Sequence, residues 1–331
     1  MKIPSVSNRL KRLVPQIGGQ LFLEPHYGFA GRIEFANGKI SYYYHSTLDI
    51  NPSGVSRIVK DKAYTSFFLR ELGFNTPNEK TFFTERKNKR VQKKSSIVDA
   101  QAFAEQIGYP VIVKANSLSL GIGVYFVHQA EDFAHYAEKV LEEDSVGIVQ
   151  RAYQGNDYRV VVYDNQIFAA YQRVPLSIIG DGETSIQDLV LLKQKALKDS
   201  KRDVLLELTD ARIQVTLQAQ QLSFDSILPL GKKFNLLPNA NLSDGGVAVD
   251  VTTTIHPYFQ AIAINATQKM GLNLCGVDIM CRDLRERDEN YVIIELNSSP
   301  GLDGYASLST EHDQKVDDLY LNILRKLENS L

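Results

Sequence analysis

Only two cysteines occur in the 331 residues, Cys275 and Cys281. Lying within or beside one apparent strand, they read as buried thiols of a reducing compartment and exclude a disulfide framework. No run of about 18 apolar residues is present, so no membrane span is expected. The opening MKIPSVSNRLKRLVPQIGG lacks the continuous apolar stretch of a signal peptide, and the expected location is cytoplasmic. The six histidines are scattered. Neither a Cys/His zinc spacing, a Ser/His/Asp hydrolase signature nor a GK[ST] phosphate loop is found. What is there is an ordinary globular mixture, 44% apolar and 23% charged, long enough for about two or three lobes.

The net charge of −2 conceals an asymmetry. Residues 1–95 hold 17 Lys/Arg against 7 Asp/Glu, and the remainder 20 against 32. The basic end contains Glu85-Arg86-Lys87-Asn88-Lys89-Arg90-Val91-Gln92-Lys93-Lys94. Such a run reads either as a solvated loop or as a basic rim for an anionic substrate or nucleotide. Aromatics do not interleave with it, and no nucleic-acid partner is expected.

Strand patterns fall at Gln20 to Leu23, Gly31 to Phe35 and Ile40 to Tyr44, with Asn37-Gly38 as a hairpin turn. Asp61 to Leu72 predicts an amphipathic helix stopped by Gly73. Beyond the basic run, a helix is expected over Ile97 to Ile107. Strands at Tyr109 to Ala115 and Val124 to His128 flank a Gly-containing loop, 116–123. A helix over Glu131 to Leu141 leads to a strand at Val146 to Gln150. Strands at Tyr158 to Tyr163 and Ile167 to Arg173 follow, then a mostly helical stretch over 185–221. Further strands fall near Phe234 to Leu237, Gly276 to Cys281 and Tyr291 to Leu296, and helices at Pro257 to Met270 and Asp313 to Glu328. The expected class is α+β with antiparallel hairpins.

The last hairpin carries the sharpest chemistry. Its charged loop is centred near residue 287, so antiparallel pairing places Asp278 opposite residues 295 to 297. With Glu295 or Asn297 opposite, three oxygen side chains share one face. That set suits Mg²⁺ with substrate phosphates, or is a polar face at a sheet end. Lys114 ends an apolar strand before Gly121 and Gly123, a cation beside glycine amides that would hold phosphate, or else a plain hairpin tip. Lys62, at a helix start, reads by itself as a surface lysine. The stretch from Gln150 to Asp157 is a hinge whose backbone would pair with an adenine edge and whose Asp157 would accept from ribose hydroxyls, or an interlobe linker. Arg159 and Arg173 lie on adjoining strands with fork geometry for carboxylate or phosphate.

Taken in order, DK at a helix start, VIVK before a flap, Q-R-x-Y-x-G-x-D, GVDIM and E-L-N-x-x-P-G resemble the ATP-grasp superfamily, above all the ATP-grasp regions of cyanophycin synthetases and bifunctional glutathione synthetases. The similarity extends through 155–190 and 239–252 and covers about residues 55–310; residues 1–50 are not explained by it. It implies two α+β lobes clasping ATP: a small N-terminal lobe (1–60), an N-terminal or lid subdomain (61–150) and a C-terminal subdomain (151–331). It also implies an ATP-dependent carboxylate–amine ligase, working through an acyl phosphate on an amino acid or peptide. Lys62, Lys114 and Ser119 of the flap would contact ATP. Gln150, Arg151, Ala152 and Tyr153 would hold the base and Asp157 the ribose. Asp278, Glu295 and Asn297 would bind two Mg²⁺ ions, with Mn²⁺ as a substitute. Arg159, Arg173 and Asn241 would act in catalysis. Two departures stand out: the flap carries Leu118, Leu120 and Ile122, and Leu236-Leu237-Pro238 stands where relatives have an arginine. Competing readings are a ligase modifying an acidic protein or peptide chain and a nucleotide-binding regulatory pseudoenzyme. A homo-oligomer is compatible with all three.

Overall fold

Pro4 precedes helix α1 (Ser5–Leu13), where only φ near −60° is needed and no N–H is missed. The computed structural model describes residues 4–119, 121–199, 208–237, 240 and 242–330. After α1, strands β1 (Gln20–Leu23), β2 (Ala30–Glu34), β3 (Ile40–Tyr44) and β4 (Thr47–Leu48) form an antiparallel sheet in that order. Asn37-Gly38 makes its hairpin turn, with Gly38 at φ 81°. Helix α1 was not expected from the sequence, because its buried positions include Ser7 and Arg9. Its reason is tertiary. Arg9 pairs with Asp313 and Asp317, and Arg12 with Asp317, of the C-terminal helix Thr310–Asn329.

Helix α2 (Ser53–Ile58) precedes α3 (Lys62–Glu71), whose N-cap Asp61 accepts from Tyr64 N. Next come β5 (Glu79–Phe83), the single turn α4 (Glu85–Asn88), α5 (Ile97–Ile107), β6 (Val111–Ala115), β7 (Val124–Val127), α6 (Phe133–Glu143) and β8 (Val146–Arg151). Ser96 and Asp99 close a capping box on α5, which fixes its start at the expected residue. The second sheet runs β5-β8-β6-β7, all antiparallel. One face packs Phe82, Val111, Val113 and Val149 on Ala100, Ala104, Phe133 and Val140 of α5 and α6.

Strands β9 (Asn156–Tyr163) and β10 (Gln166–Val174) turn at Asp164-Asn165, both with positive φ. Then follow β11 (Ser177–Ile179), α7 (Ile186–Asp199), α8 (Ala211–Ala219), β12 (Lys233–Asn235), β13 (Val247–Asp250), α9 (Pro257–Lys269), β14 (Leu274–Cys281), β15 (Val292–Asn297), α10 (Asp303–Ala306) and α11 (Thr310–Asn329). The third sheet has the order β13-β10-β9-β14-β15. Helix α9 packs Phe259, Ala263 and Ala266 against Val160, Val162, Val277 and Ile279 of β9 and β14.

Contacts divide the chain into two units, one of Met1–Tyr171 with Asp250–Leu331, the other Gln172–Val249. The second has a core of its own, built on Leu176, Ile186, Val190, Ile213, Leu228 and Phe234. The expected boundaries lie at 60/61 and 150/151, the second inside β8, whereas the contact boundary falls at 171/172 and 249/250. Helices and antiparallel sheets are mixed in the α+β manner. Among the described residues, no helix is long and apolar enough to cross a membrane. Cys275 and Cys281 are both buried and unbridged.

Candidate active site

Alternation along a strand puts Gly276 and Asp278 of β14 on one face, and Glu295 and Asn297 of β15 likewise. The two strands pair with Asp278 opposite Glu295 and Gly276 opposite Asn297, before a register shift between Asp278 and Ile279. Asp278 thus meets the segment that the loop centre predicted. On its other side, β14 places Asp278 against Arg159 of β9. Arg159 Nε donates to Asp278 Oδ1 and Nη2 to Oδ2, each at 2.6 Å, a bidentate fork. Nη2 also lies 3.8 Å from Glu295 Oε1. Asn297 Nδ2 donates to Glu295 Oε1 at 3.2 Å and to Asp278 Oδ2 at 3.4 Å.

Exposure separates the members of this set. The Asp278 side chain is 1% exposed and that of Glu295 28%. Burial alone would draw the Arg159 guanidinium down, but the charge and hydrogen bonds of Asp278 outweigh it and hold Arg159 well above its ordinary value. Glycine at 276 makes room for this arginine. A Cβ there would sit 3.0 Å from Pro300 Cβ and 3.3 Å from Arg159 Nε. Arg159, expected to offer a fork to carboxylate or phosphate, has Nε and Nη2 committed to the carboxylate of Asp278. Among the described residues, no group of three or more His, Cys, Asp or Glu side chains is placed to hold a metal ion. The set here has two carboxylates and a carboxamide.

The second sheet contributes a buried cation. Pairing of Lys114 with Ile148, Ile112 with Gln150, and Glu79 with Gln150 puts Glu79, Lys114 and Gln150 on the face away from α5 and α6. Lys114 is 5% exposed and Gln150 2%. Burial pushes the Lys114 ammonium down to about 8; Glu79 pulls it up, Lys62 pushes it down, and Glu295 pulls it up. Glu295 is therefore near enough for its charge to act on Lys114. Burial likewise raises the Glu79 carboxyl, opposed by Lys114 and a hydrogen bond with Ser66. Gln150 Oε1 is buried with no hydrogen-bond partner among the described residues, an acceptor prepared for a donor from a ligand. Glu79 was not picked out from the sequence, although alternation back from Thr81 puts it on the face of Lys114.

Lys62 is placed differently from expectation. Its Nζ donates to the carbonyl oxygens of Leu118 and, at 3.4 Å, Asn116, while Asn116 Oδ1 accepts from Ala63 N at 2.9 Å. The lysine fastens the root of the 116–123 flap to α3 rather than standing free for phosphate. In the flap, Gly121 and Gly123 take φ of 74° and 64°, conformations costly for other residues. Ser119 is exposed, and its carbonyl accepts from Ile122 N. At the hinge, Arg151 points to the opposite face from Gln150, and its Nη2 donates to Ile107 O at 3.1 Å. Only its backbone is left for a base. Tyr153 OH accepts from Asn78 N at 3.0 Å, next to Ala152. Asp157 pairs with Met280 across β9 and β14. Arg173 belongs to the second unit, and Asn241 lies outside the described residues.

Comparison with known proteins bears on the family and the fold. Residues 68–223 match the family described as D-ala D-ala ligase C-terminus, and 238–319 the RimK-like ATP-grasp domain. A glutathione biosynthesis bifunctional protein of Mannheimia succiniciproducens is 28% identical over 281 residues, 81% of this chain and 36% of that protein. Its counterpart in Streptococcus agalactiae is 32% identical over 253 residues, 72% of this chain and 32% of that protein. A cyanophycin synthetase of Synechocystis is 29% identical over 254 residues, 73% of this chain and 27% of that one. The chain thus spans roughly a third of the length of the curated relatives it matches. The solved bifunctional glutathione synthetase of Pasteurella multocida superposes with a TM-score of 0.61 at 23% identity, over 97% of this chain and 44% of that one. A D-alanine–D-alanine ligase of Bacillus anthracis gives 0.50 at 13% identity, over 84% and 71%. These two likenesses carry the fold.

Proposed function

Because the chain belongs to the ATP-grasp superfamily, we propose that it is an ATP- and Mg²⁺-dependent carboxylate–amine ligase acting on an amino acid or peptide. One observation supports this reading above the others. Asp278, Glu295 and Asn297 converge on one face, and the charge of Glu295 reaches the buried Lys114 on the other sheet. The donor set suits Mg²⁺: two carboxylates and a carboxamide are hard oxygen donors, and Asp278 keeps acceptor capacity beyond the two bonds from Arg159. When bound there, the ion would neutralise phosphate charge and polarise the phosphoryl oxygens.

The chain's own groups then divide the work. Lys114 would hold phosphate oxygens as a buried charge. Gln150 Oε1 and the backbone of 151–153 would receive the base, and Asp157 the ribose. Arg159 fixes the orientation of Asp278 and is a positioning residue. Lys62 would hold the root of the flap that carries Ser119, and by the resemblance Arg173 and Asn241 would act in catalysis. The γ-phosphoryl group would pass from ATP to a carboxylate oxygen, releasing ADP. An amine would then attack the acyl carbon, forming the C–N bond, breaking the C–OP bond and releasing phosphate and a proton. A cytoplasmic setting fits the two free buried thiols.

The test is ADP release by purified protein with Mg²⁺ and pooled amino acids and peptides. ADP that requires both a carboxylate and an amine, with a product mass equal to their condensation, is the expected result. ATP binding without turnover across a broad panel would overturn the ligase in favour of a regulatory protein.

A further inference from the structure

The basic run after β5 has no role in the chemistry above, yet it is built rather than loose. Phe83 N donates to Ser95 O at 3.0 Å, and Asn88 ties both sides of the neck. Its Nδ2 donates to Phe83 O and Ser95 O, and its Oδ1 accepts from Ser95 N at 2.9 Å. Thr84 caps the turn α4 by accepting from Lys87 N. The loop above this neck presents Arg86, Lys87, Lys89, Arg90, Lys93 and Lys94. Among the described residues, none of the six side chains makes an ion pair or a hydrogen bond. Lys89, Arg90, Lys93 and Lys94 are exposed. Surface cations elsewhere in the chain are often paired, as Arg282, Arg285, Arg287, Lys315 and Lys326 are. Six like charges with only Glu85 among them, which pairs with none, repel each other, and an anionic partner relieves that cost.

Register places the loop at the functional end of its sheet. Glu79 pairs with Gln150 at the hinge end, and Phe83 with Val146 at the other. The flap leaves from that same far end: Asn116 N donates to Val146 O, Thr84 N to Ser145 O, and Ser117 N to Asp144 Oδ2. The basic loop and the flap thus leave the same end of the sheet, with the start of β8 between them. We propose that this loop, residues 85–94, is a docking element for an acidic peptide chain, which it holds at the flap end of the sheet. The proposal rests on the ligase reading for its purpose: the docked chain would supply a carboxylate at the phosphate end of the site. An acidic peptide is preferred to nucleic acid because the loop has no aromatic side chain on which a base would stack.

The test is binding by the full chain, without ATP, so that it is independent of turnover. A labelled peptide with eight consecutive glutamates is titrated by fluorescence anisotropy, beside an octaglutamine analogue and a single-stranded oligonucleotide of equal charge. The octaglutamate peptide is expected to bind, to weaken with added salt, and to bind at least tenfold more weakly, about 1.4 kcal/mol, to Lys89→Gln/Arg90→Gln/Lys93→Gln/Lys94→Gln. These side chains are exposed and make no ion pair or hydrogen bond among the described residues, so the variant should keep its thermal midpoint and its ATP affinity. A control with Lys89→Arg, Lys93→Arg and Lys94→Arg should bind as the parent does. Equal binding of octaglutamine, unchanged binding by the neutralised variant, or tighter binding of the oligonucleotide would each overturn the proposal. The ligase reading would survive all three, since it stands or falls on ADP release.

Discussion

Replacing Lys114 with methionine removes a charge from a site that is 5% exposed while keeping most of the volume. Burial holds this ammonium at about 8 in the folded chain, against about 10.4 in an unfolded one. The protonated fraction of the folded lysine thus falls from roughly 90% at pH 7 to roughly 10% at pH 9. If only the ammonium holds phosphate, ATP affinity drops about tenfold over that interval, and near pH 8 binding takes up about half a proton. Stability moves the opposite way. Between about pH 8 and 10.4 the unfolded chain binds more protons at this position than the folded one, so folding becomes more favourable as pH rises. The burial penalty is fully present below pH 8, and its relief across the window is of order 3 kcal/mol. Calorimetric titration with ATP at pH 7, 8 and 9, with urea unfolding at pH 8 and 10, reads both quantities for parent and Lys114→Met. The variant should bind ATP weakly with no pH dependence, and the parent should gain stability relative to it between pH 8 and 10. Parallel stability curves together with an ATP affinity flat from pH 7 to 9 would refute the placement of Lys114.

Three other outcomes are expected. Arg159→Met strands the buried Asp278 carboxylate and should cost about 3–5 kcal/mol in chemical unfolding; adding Asp278→Leu should restore much of that loss, and an additive double-mutant cycle would count against the pair. Glu295→Ala should abolish ADP release while circular dichroism stays unchanged, since Glu295, unlike Asp278, is only partly buried; an active, folded variant would sink the metal assignment. Gly147→Ala would put a Cβ 2.2 Å from Phe82 Cζ, and an overpacking loss of about 1–3 kcal/mol or more should appear in the unfolding midpoint.

Much of this was legible in the sequence wherever the determinant is local. The limits of α5 follow from Ser96 and Asp99, and the stop of α3 from Gly73 at φ 88°. The register of β14 with β15 follows from the centre of a short loop. Legibility failed where a side chain's partner is distant in sequence. Helix α1 buries Arg9 against Asp313 and Asp317, so its polar inner positions break the apolar period that marks a helix. By resemblance Lys62 would contact ATP; the partners its ammonium has here, the carbonyls of Leu118 and Asn116, lie more than fifty residues away and no local pattern announces them. Arg151 was readable in principle: alternation beside a buried Gln150 already sends it to the other face. The Arg159–Asp278 fork needed the β9–β14 register, which no local pattern encodes.

The way the chain leaves and re-enters its larger unit bears on modularity. Val251 N donates to Ala170 O at 2.8 Å, and Ala170 N to Thr252 Oγ1 at 2.9 Å. Both residues belong to that unit, so departure and return are stitched together within one hydrogen bond of the exchange point. Residues 172–249, with a core of their own, are in this sense a cassette. A tight turn spliced between Tyr171 and Asp250 would shorten β10 and take most of β13, yet the ends it joins already lie beside each other.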